Sequence, residues 1–160
     1  MKKNILNFTI IIIIIAISIG TYINNYVGYF VRVMGSSMSP TLDDGDFGIT
    51  FIVDERTKLK RFEIVILKLK NGEEIIKRII GLPGEKIYCH NNTIYINDLP
   101  LIESYLLNSK TDDFELIEIN EEQYFVLGDN RKESNDSRFY GTFNRSQISA
   151  YNFIEINHIK

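Results

Sequence analysis

The chain has 160 residues, a net charge of −3 and a hydrophobic content of 44%, which suffices for one domain of ordinary size and argues against a second full domain. Only Lys2 and Lys3 are basic before Arg32, and no acidic residue precedes Asp43, so the rest of the chain is acidic. This charge distribution argues against nucleic acid as a partner.

An uncharged stretch runs from residue 4 to residue 31, and its centre is almost entirely isoleucine and alanine. A membrane-spanning helix needs about 20 apolar residues. The segment Ile5 to Ile23 supplies 19 residues with only scattered polar ones. The positive-inside rule places Lys2 and Lys3 in the cytoplasm and the rest of the chain outside. We therefore predict a single transmembrane anchor, with the lipid bilayer of the cytoplasmic membrane as its partner.

A cleaved secretory signal is the alternative interpretation of this stretch, because Ser18-Ile19-Gly20 fits a small-x-small cleavage pattern. The uncleaved anchor is favoured because the stretch is continued by an interfacial set of tyrosines, Tyr22, Tyr26 and Tyr29. On this interpretation residues 1–26 form a cytoplasmic tip and the anchor, and residues 27–160 form an extracytoplasmic β domain.

Beyond residue 26 the pattern changes to short runs rich in β-branched and aromatic residues. The strongest hairpin signal, Asn71-Gly72, predicts that Glu63–Leu69 and Glu74–Ile80 pair as antiparallel strands. Further predicted strands are Tyr29–Met34 and Phe47–Val53 around the turn signal Asp44-Gly45, the hairpin Ile87–Cys89 with Thr93–Ile96, Tyr124–Leu127, and Ala150–Ile156. The acidic, less patterned residues 103–122 predict a surface excursion. The expected fold class is mostly β, an antiparallel β-sheet domain after one N-terminal transmembrane helix, because no later stretch has helical periodicity over three turns.

The segment from Gly35 to Leu42 reads Gly-Ser-Ser-Met-Ser-Pro-Thr-Leu and carries three serine hydroxyls between a flexible glycine and a rigid proline. Such a segment can bend and present one Oγ to a bound chain, as a nucleophile must be presented. The ordinary alternative for this composition is a solvated turn. Its significance therefore depends on what else the chain holds.

Lys77 and Arg78 lie in a predicted strand that ends at the turn Gly81-Leu82-Pro83-Gly84. Neighbouring strand residues face opposite ways, so we expect only one of the two to point into the core. If Lys77 points inward, burial lowers the pKa of its amine and makes it a usable general base near neutrality. A lysine on an edge strand that extends to water is the alternative.

The segment of residues 128–141 is a loop dense in polar side chains. Such loops usually face solvent, but here the charged groups could form a network that fixes a hydroxyl. The charged groups are Asp129, Asp136 and Arg138, and the hydroxyls are those of Ser134 and Ser137.

These three segments, in this order after one N-terminal anchor, resemble the motifs of the bacterial type I signal peptidases. Those enzymes are membrane-bound Ser/Lys proteases that remove signal peptides from exported proteins. The resemblance covers nearly the whole chain. The matching motifs are Gly35-Ser36-Ser37-Met38-Ser39-Pro40-Thr41-Leu42, Lys77-Arg78 with Gly81-Leu82-Pro83-Gly84, and Gly128-Asp129-Asn130-Arg131 with Ser134, Asp136, Ser137, Arg138 and Gly141.

By that resemblance Ser37 is the nucleophile, Lys77 is the general base, and Ser134 orients the lysine amine. Gly35 lies where the oxyanion is held, and the supporting residues of the site are Arg78, Asp129, Asp136 and Arg138. The implied reaction is acyl transfer through an acyl-enzyme, with no metal or other cofactor. The implied partners are signal peptides with small residues at the first and third positions before the cut. The implied protein is a single-pass membrane monomer whose catalytic domain lies outside the cytoplasm.

Two positions depart from the family's pattern. Some members carry a serine where this chain has Gly35, and its hydroxyl helps to hold the oxyanion. Here backbone N–H groups, from Ser37 and a neighbour, must do so. The family's usual Arg-Gly-Asp before its next strand is replaced by Arg61-Phe62-Glu63, which affects the local turn rather than the chemistry.

Other functional classes fit the sequence less well. The two histidines, His90 and His158, lie outside any polar cluster, which disfavours a Ser-His-Asp triad. No His, Cys and Asp grouping has metal-ligand spacing. A self-cleaving Ser/Lys repressor needs a DNA-binding segment where this chain has an apolar run. A catalytically weak signal-peptidase-like assembly factor for surface proteins would have lost Ser37 or Lys77. The single cysteine, Cys89, is expected to be a buried thiol in a strand.

Overall fold

The structure, a computed structural model, describes residues 2–106 and 110–156. In that part of the chain a long helix, α1 (Lys2–Tyr26), is followed by eleven β-strands, one short helix and one 3-10 turn. The strands are β1 Gly28–Arg32, β2 Phe47–Ile52, β3 Ile64–Lys68, β4 Glu74–Gly81, β5 Lys86–His90, β6 Thr93–Ile96, β7 Leu99–Pro100, β8 Phe114–Glu118, β9 Gln123–Leu127, β10 Phe143–Asn144 and β11 Ile148–Glu155. The short helix α2 is Ser137–Tyr140, and the 3-10 turn is Arg145–Gln147.

The uncharged N-terminal stretch forms α1, a helix of 25 residues. Its isoleucines between Ile10 and Ile19 are 47% to 61% exposed, so α1 presents an apolar surface to its surroundings. Within residues 2–106 and 110–156, no helix combines the length and the hydropathy that crossing a bilayer requires. The transmembrane span therefore stays a prediction.

Two antiparallel sheets make up the fold after α1. The first sheet has seven strands in the order β1-β2-β11-β3-β4-β9-β10, and the second sheet has four in the order β7-β6-β5-β8. Each pairing between these strands is antiparallel. The predicted mostly β, antiparallel fold class is confirmed.

Both hairpins predicted from local turn signals are present. β3 and β4 pair with Val65 opposite Lys77, and Gly72 at their turn has a φ of +87°. β5 and β6 pair across Asn91-Asn92, whose φ angles of 50° and 61° suit a tight turn. β1 and β2 also pair, but residues 33–46 between them form a long loop, called the serine loop below.

The expectation of a surface excursion over residues 103–122 is wrong in part. The segment contains β8, which pairs with β5 in the second sheet, and it buries Ile119 to 3% exposure. Two of its acidic residues, Glu115 and Glu118, are exposed on β8, which is an edge strand of that sheet. Acidic residues interspersed among Phe114, Ile117 and Ile119 make the apolar pattern of this segment weak.

Strand β4 runs between two separate hydrophobic cores. Ile79 packs with Val65 and Val126 in one cluster, and the next residue, Ile80, packs with Phe125 in the other. Each fully buried aliphatic side chain stabilises the fold by about 1.5 to 3 kcal/mol. Both faces of β4 are therefore covered, which determines where its charged residues lie.

Candidate active site

The serine loop is anchored by apolar side chains that flank its hydroxyls. Val33, Met38 and Leu42 are at most 3% exposed and form a third small core. Because Met38 is buried directly after Ser37, the Ser37 side chain is held at the surface of this core and stays partly exposed.

The Ser37 hydroxyl lies in hydrogen-bond contact with Lys77. Lys77 Nζ is 2.7 Å from Ser37 Oγ and donates a second hydrogen bond to the carbonyl of Ile76 at 2.8 Å. The two residues are 40 positions apart in sequence, and the contact joins the serine loop to β4. A hydroxyl and an amine at this distance can exchange a proton directly.

Burial lowers the pKa of Lys77 to about 8, and the negative charges of Asp136 and Asp129 oppose that shift only in part. The residue is 3% exposed. With such a pKa, about one amine in ten is neutral at pH 7, against fewer than one in a thousand for an ordinary lysine. The lysine is therefore suited to accept a proton near neutral pH.

The expectation that only one of Lys77 and Arg78 points inward is wrong, because both faces of β4 are covered. Arg78 is 7% exposed and holds Asp129 with two hydrogen bonds of 2.9 and 2.6 Å. Its guanidinium also donates to the carbonyl of Phe62 at 2.8 Å and lies 4.1 Å from the centre of the Tyr105 ring. Arg78 therefore links β4 to the loop that follows β9.

The turn at Arg61-Phe62-Glu63 keeps a left-handed backbone although it lacks glycine. Phe62 has a φ of 73°, a region that costs an ordinary L-residue about 1 to 2 kcal/mol. Arg61 stabilises the neighbouring turn by a two-pronged ion pair with Glu85, at 2.9 and 2.5 Å. The chain therefore differs from the family's pattern in the residues of this turn, but the turn still lies beside Arg78.

The loop of residues 128–141, called the final motif below, is ordered by Asp136. The buried Asp136 carboxylate accepts from the backbone N–H of Gly128 at 3.0 Å and from the Arg138 side chain at 2.9 and 2.8 Å. Ser137, also buried, accepts from the backbone N–H of Val126 at 2.9 Å. The predicted charge network among the polar side chains is thus present, and it ties the loop to β9.

Ser134 does not make the contact expected of it. Its buried Oγ has no hydrogen-bond partner within the described residues, and the second acceptor for the Lys77 amine is the Ile76 carbonyl. The strand's own backbone therefore takes the place that the resemblance gave to Ser134. The Ser134 side chain instead packs against Gly128, where a Cβ atom would overlap with it.

The backbone N–H of Gly35 is not free to hold an oxyanion, because it donates to Asp44 Oδ1 at 2.7 Å. The backbone N–H of Ser37 makes no hydrogen bond within the described residues. This leaves the Ser37 N–H as the available donor next to the hydroxyl, and the part expected of Gly35 is limited to its turn, where φ is +89°.

Asn130 contacts the serine loop, although the sequence motif that contains it predicted no role for it. Its backbone N–H donates to the Ser37 carbonyl at 3.0 Å, and its side-chain amide donates to the Ser36 carbonyl at 3.2 Å. The final motif therefore supports the serine loop from behind. Its place between Asp129 and Arg131 was the only signal in the sequence, because a supporting contact leaves no periodic pattern.

A groove of about 530 Å³ opens beside the hydroxyl and the amine. Its lining includes the apolar side chains of Met34, Ile66 and Ile76. β9 pairs with β4 only from Arg78 onward, so residues 74–77 of β4 present an edge without a partner strand in the described structure. Such an edge can accept an extended peptide as an added strand.

The remaining reactive side chains lie away from this groove. His90 is exposed, where it contacts the Asn91 side chain at 3.1 Å and approaches Asp113 at 3.7 Å, and His158 lies outside the described residues. Cys89 is the predicted buried thiol, on β5, and burial raises its pKa to about 11, which makes it unreactive. In the described part of the chain no group of His, Cys, Asp and Glu could hold a metal ion.

Comparison with known proteins gives a consistent set of relatives. The family described as "Signal peptidase, peptidase S26" matches residues 3–155. Signal peptidase I of Bacillus amyloliquefaciens is 37% identical over 92% of this chain and 88% of its own length. Signal peptidase IB of Staphylococcus aureus is 34% identical over 92% of this chain and 87% of its own. A crystal structure of signal peptidase I from Enterococcus faecalis matches with a TM-score of 0.55 at 35% identity, covering 60% of this chain and 97% of that one.

Proposed function

The chain belongs to the signal peptidase S26 family, and on that premise we propose that it is a membrane-anchored serine endopeptidase with a Ser37/Lys77 dyad. Membership of the family implies a peptidase that acts on the signal peptides of preproteins. The observation that carries the dyad is the 2.7 Å contact between the Ser37 hydroxyl and a buried Lys77 amine whose pKa is lowered to about 8.

The reaction begins when the neutral Lys77 amine takes the proton of Ser37. The Ser37 oxygen attacks the carbonyl carbon of the last signal-peptide residue, and the carbonyl oxygen becomes an oxyanion next to the Ser37 N–H. Lys77 then gives its proton to the departing amine nitrogen, the C–N bond breaks, and the mature protein leaves. The signal peptide remains attached to Ser37 as an ester.

Hydrolysis of the ester reuses the same base. Lys77 takes a proton from a water molecule, and the water oxygen attacks the ester carbonyl. The bond to Ser37 breaks, Lys77 returns the proton to the serine oxygen, and the signal peptide leaves with a new C-terminal carboxyl group. The proton transfers between Ser37 and Lys77 take place between groups that already lie within hydrogen-bond distance of each other.

The open edge of β4 supports an extended mode of substrate binding. A signal peptide placed along residues 74–77 would form backbone hydrogen bonds and point alternate side chains into the groove. Shallow apolar walls at Met34, Ile66 and Ile76 suit small side chains, which is the preference that the family resemblance implies. Larger side chains would have to displace this lining.

The membrane location is part of the same proposal. The uncharged residues 4–31 and the exposed isoleucines of α1 support an anchor, with residues 1–26 as the tip and anchor and residues 27–160 as an extracytoplasmic catalytic domain. Lys2 and Lys3 then remain in the cytoplasm, the protein is a single-pass monomer of the cytoplasmic membrane, and the scissile bond is cut close to the outer headgroups.

The test is cleavage of a preprotein by purified variants, with the cut site determined by mass. Ser37→Ala should abolish cleavage, and Lys77→Arg should do so almost completely, because a guanidinium stays protonated and cannot act as a base. Lys58→Arg, at an exposed lysine, is the matched control and should cleave as wild type does. Cleavage by Lys77→Arg at the rate of wild type would remove Lys77 from the mechanism.

A further inference from the structure

Glu103 lies outside the three motifs, yet it reaches the buried side chain of Arg131 in the final motif. Arg131 Nη2 is 2.5 Å from Glu103 Oε1, and Nη1 is 3.2 Å from Oε2, which makes a two-pronged ion pair. The side chains of Arg131 and Glu103 are only 1% and 14% exposed. Thr111 accepts a further hydrogen bond from the same guanidinium. Glu103, Tyr105 and Thr111 therefore surround the Arg131 guanidinium.

The Nε–H group of Arg131 is directed at the turn that supports Ser37, the proposed nucleophile. Arg131 Nε donates to the carbonyl of Gly128 at 3.0 Å. Between these two residues, Asn130 donates to the carbonyls of Ser36 and Ser37. Arg131 thus spans the turn of residues 128–131 and holds it closed, and that turn forms the back of the serine loop.

Tyr105 provides a second link from the same segment. Its hydroxyl donates to Glu103 Oε1 at 2.5 Å, and its ring stacks on the guanidinium of Arg78. Arg78 in turn holds Asp129, which lies in the turn of residues 128–131. The Glu103 carboxylate is therefore the point where both links to the turn meet.

The Glu103 carboxylate also balances the charge of a buried arginine. Three arginines and three carboxylates pair around the final motif, as Arg78 with Asp129, Arg138 with Asp136, and Arg131 with Glu103. Glu103 supplies the one carboxylate of these pairs that is outside the motifs. Without it, the Arg131 cation would be buried without its counter-ion, and a buried cation in that state moves toward water. The turn would then lose its fixed geometry.

We propose that Glu103 is a positioning residue for the reaction of Ser37, acting through Arg131 on the turn of residues 128–131. The inference rests on the proposed Ser37/Lys77 dyad. Glu103 has no contact with the groove, so its loss should leave substrate binding alone and lower the rate of the chemical step. A shift of the nucleophile by as little as 1 Å costs about 100-fold in rate.

The test measures kcat and KM separately for cleavage of a signal-peptide substrate. Glu103→Gln should lower kcat by about 10- to 100-fold with an unchanged KM. Tyr105→Phe keeps the ring and removes the hydroxyl's hydrogen bonds with Glu103 and Arg131 while the ion pair stays, so it should lower kcat by less. Glu115→Gln, at an exposed acid of the second sheet, is the control and should match wild type.

A double-mutant cycle separates positioning through Arg131 from a general loss of stability. Glu103→Gln combined with Arg131→Gln should lower kcat by far less than the product of the two single losses, because Glu103 acts chiefly through Arg131 and the link through Tyr105 contributes less. Rates are compared well below the melting temperature of each variant, with folding checked by circular dichroism. If Glu103→Gln does not fold, the milder Tyr105→Phe carries the comparison in a cycle with Arg131→Gln.

Two results would overturn the inference: a folded Glu103→Gln variant with wild-type kcat, or kcat losses that multiply in the double variant. Ser37→Ala is included in the same assay. If Ser37→Ala still cleaves, the proposed dyad fails and the positioning role falls with it. If Ser37→Ala is inactive and Glu103→Gln is normal, only the positioning role is wrong.

Discussion

The Lys77 amine is buried with two neutral oxygens as hydrogen-bond acceptors, the hydroxyl of Ser37 and the carbonyl of Ile76. An ammonium in such a place lacks a directly bonded carboxylate, so burial outweighs the more distant attraction of Asp129 and Asp136. The chemistry of the site therefore depends on keeping one cation in an unfavourable position.

This position carries a stability cost that depends on pH. The pKa of Lys77 falls from 10.5 to about 8 on folding, which corresponds to about 3 kcal/mol. Below pH 8 both the native and the unfolded chain hold the proton, and the penalty is full. Between pH 8 and pH 10.5 the unfolded chain holds more protons, so wild-type stability rises with pH until the penalty is gone.

Lys77→Met should therefore be inactive and more stable than wild type at pH 7. The expected gain is about 2 kcal/mol, since the lost hydrogen bonds offset roughly 1 kcal/mol of the penalty. The gain should disappear as the pH approaches 10. The test is to measure the urea unfolding midpoints of both proteins in the same detergent between pH 7 and pH 10. Lys58→Met, at an exposed lysine, is the control. A gap that does not change with pH would show that Lys77 has no lowered pKa.

Gly128 is the residue at which the final motif approaches the serine loop most closely. A Cβ atom there would overlap with the Ser37 carbonyl oxygen and with Ser134 Oγ. Gly128→Ala should therefore displace Ser37 and lower kcat by about 100-fold while the protein stays folded. The control is Gly20→Ala in α1, where an added Cβ meets no atom within 4 Å. An unchanged kcat for Gly128→Ala would mean that the two loops move apart freely.

Strand β4 is the element that carries the site, because each of its faces is buried against a different partner. Lys77 faces the serine loop, and Arg78 faces Asp129 and Tyr105 on the other side. A strand covered on both faces can hold two adjacent charged residues only if each has its own polar partners.

Arg78→Lys should destabilise the protein by about 3 kcal/mol, because lysine cannot reproduce the two-pronged pair with the fully buried Asp129 carboxylate. The matched control is Arg56→Lys at an exposed arginine, where the change should be below about 0.5 kcal/mol. Denaturant unfolding of the two variants provides the comparison. Equal stabilities would mean that a lysine ammonium replaces the two-pronged contact with Asp129 at no cost in stability.

The sequence predicts the parts of this fold that depend on neighbours in the chain. Asn71-Gly72 predicts the β3–β4 hairpin because its backbone preference is local. The covering of both faces of β4 was not predictable, since it depends on the second sheet. The place of Glu103 beside Arg131 depends on a contact across 28 residues, and an acidic segment gives no sign of it. The helix α2 has four residues and is too short to show a helical period.

The candidate site, too, has features that the sequence predicts and features that depend on contacts it does not reveal. The three motifs mark Ser37 and Lys77 through residue types that nucleophilic chemistry needs. Ser134 was expected to orient the Lys77 amine, whereas the amine donates to the Ile76 carbonyl in the structure. That carbonyl is a backbone group, so the identity of the side chain gives no sign of it. The supporting role of Asn130 was missed for a related reason, since its contacts are to backbone carbonyls.

At the scale of the whole molecule, the proposed topology places the domain after α1 outside the cytoplasm. Asp112→Cys, at an exposed position, should be labelled by a membrane-impermeant maleimide in intact spheroplasts. Lys2→Cys should be labelled only after lysis. The native Cys89 should stay unlabelled in both, because it is buried and its pKa is raised to about 11. If Asp112→Cys were labelled by the maleimide only after lysis, the proposed orientation would be wrong.

The contacts that fix the nucleophile join distant parts of the chain. Lys77 is 40 residues from Ser37, and Asn130 is 94 residues from Ser36. In the proposed topology the chain is exported from residue 27 onward, so Ser37 reaches the outer side early and the turn of residues 128–131 reaches it late. A partly exported copy therefore has its nucleophile but not the turn that supports it. With the proposed topology and dyad, the order of the motifs would therefore complete the site only when synthesis is nearly finished.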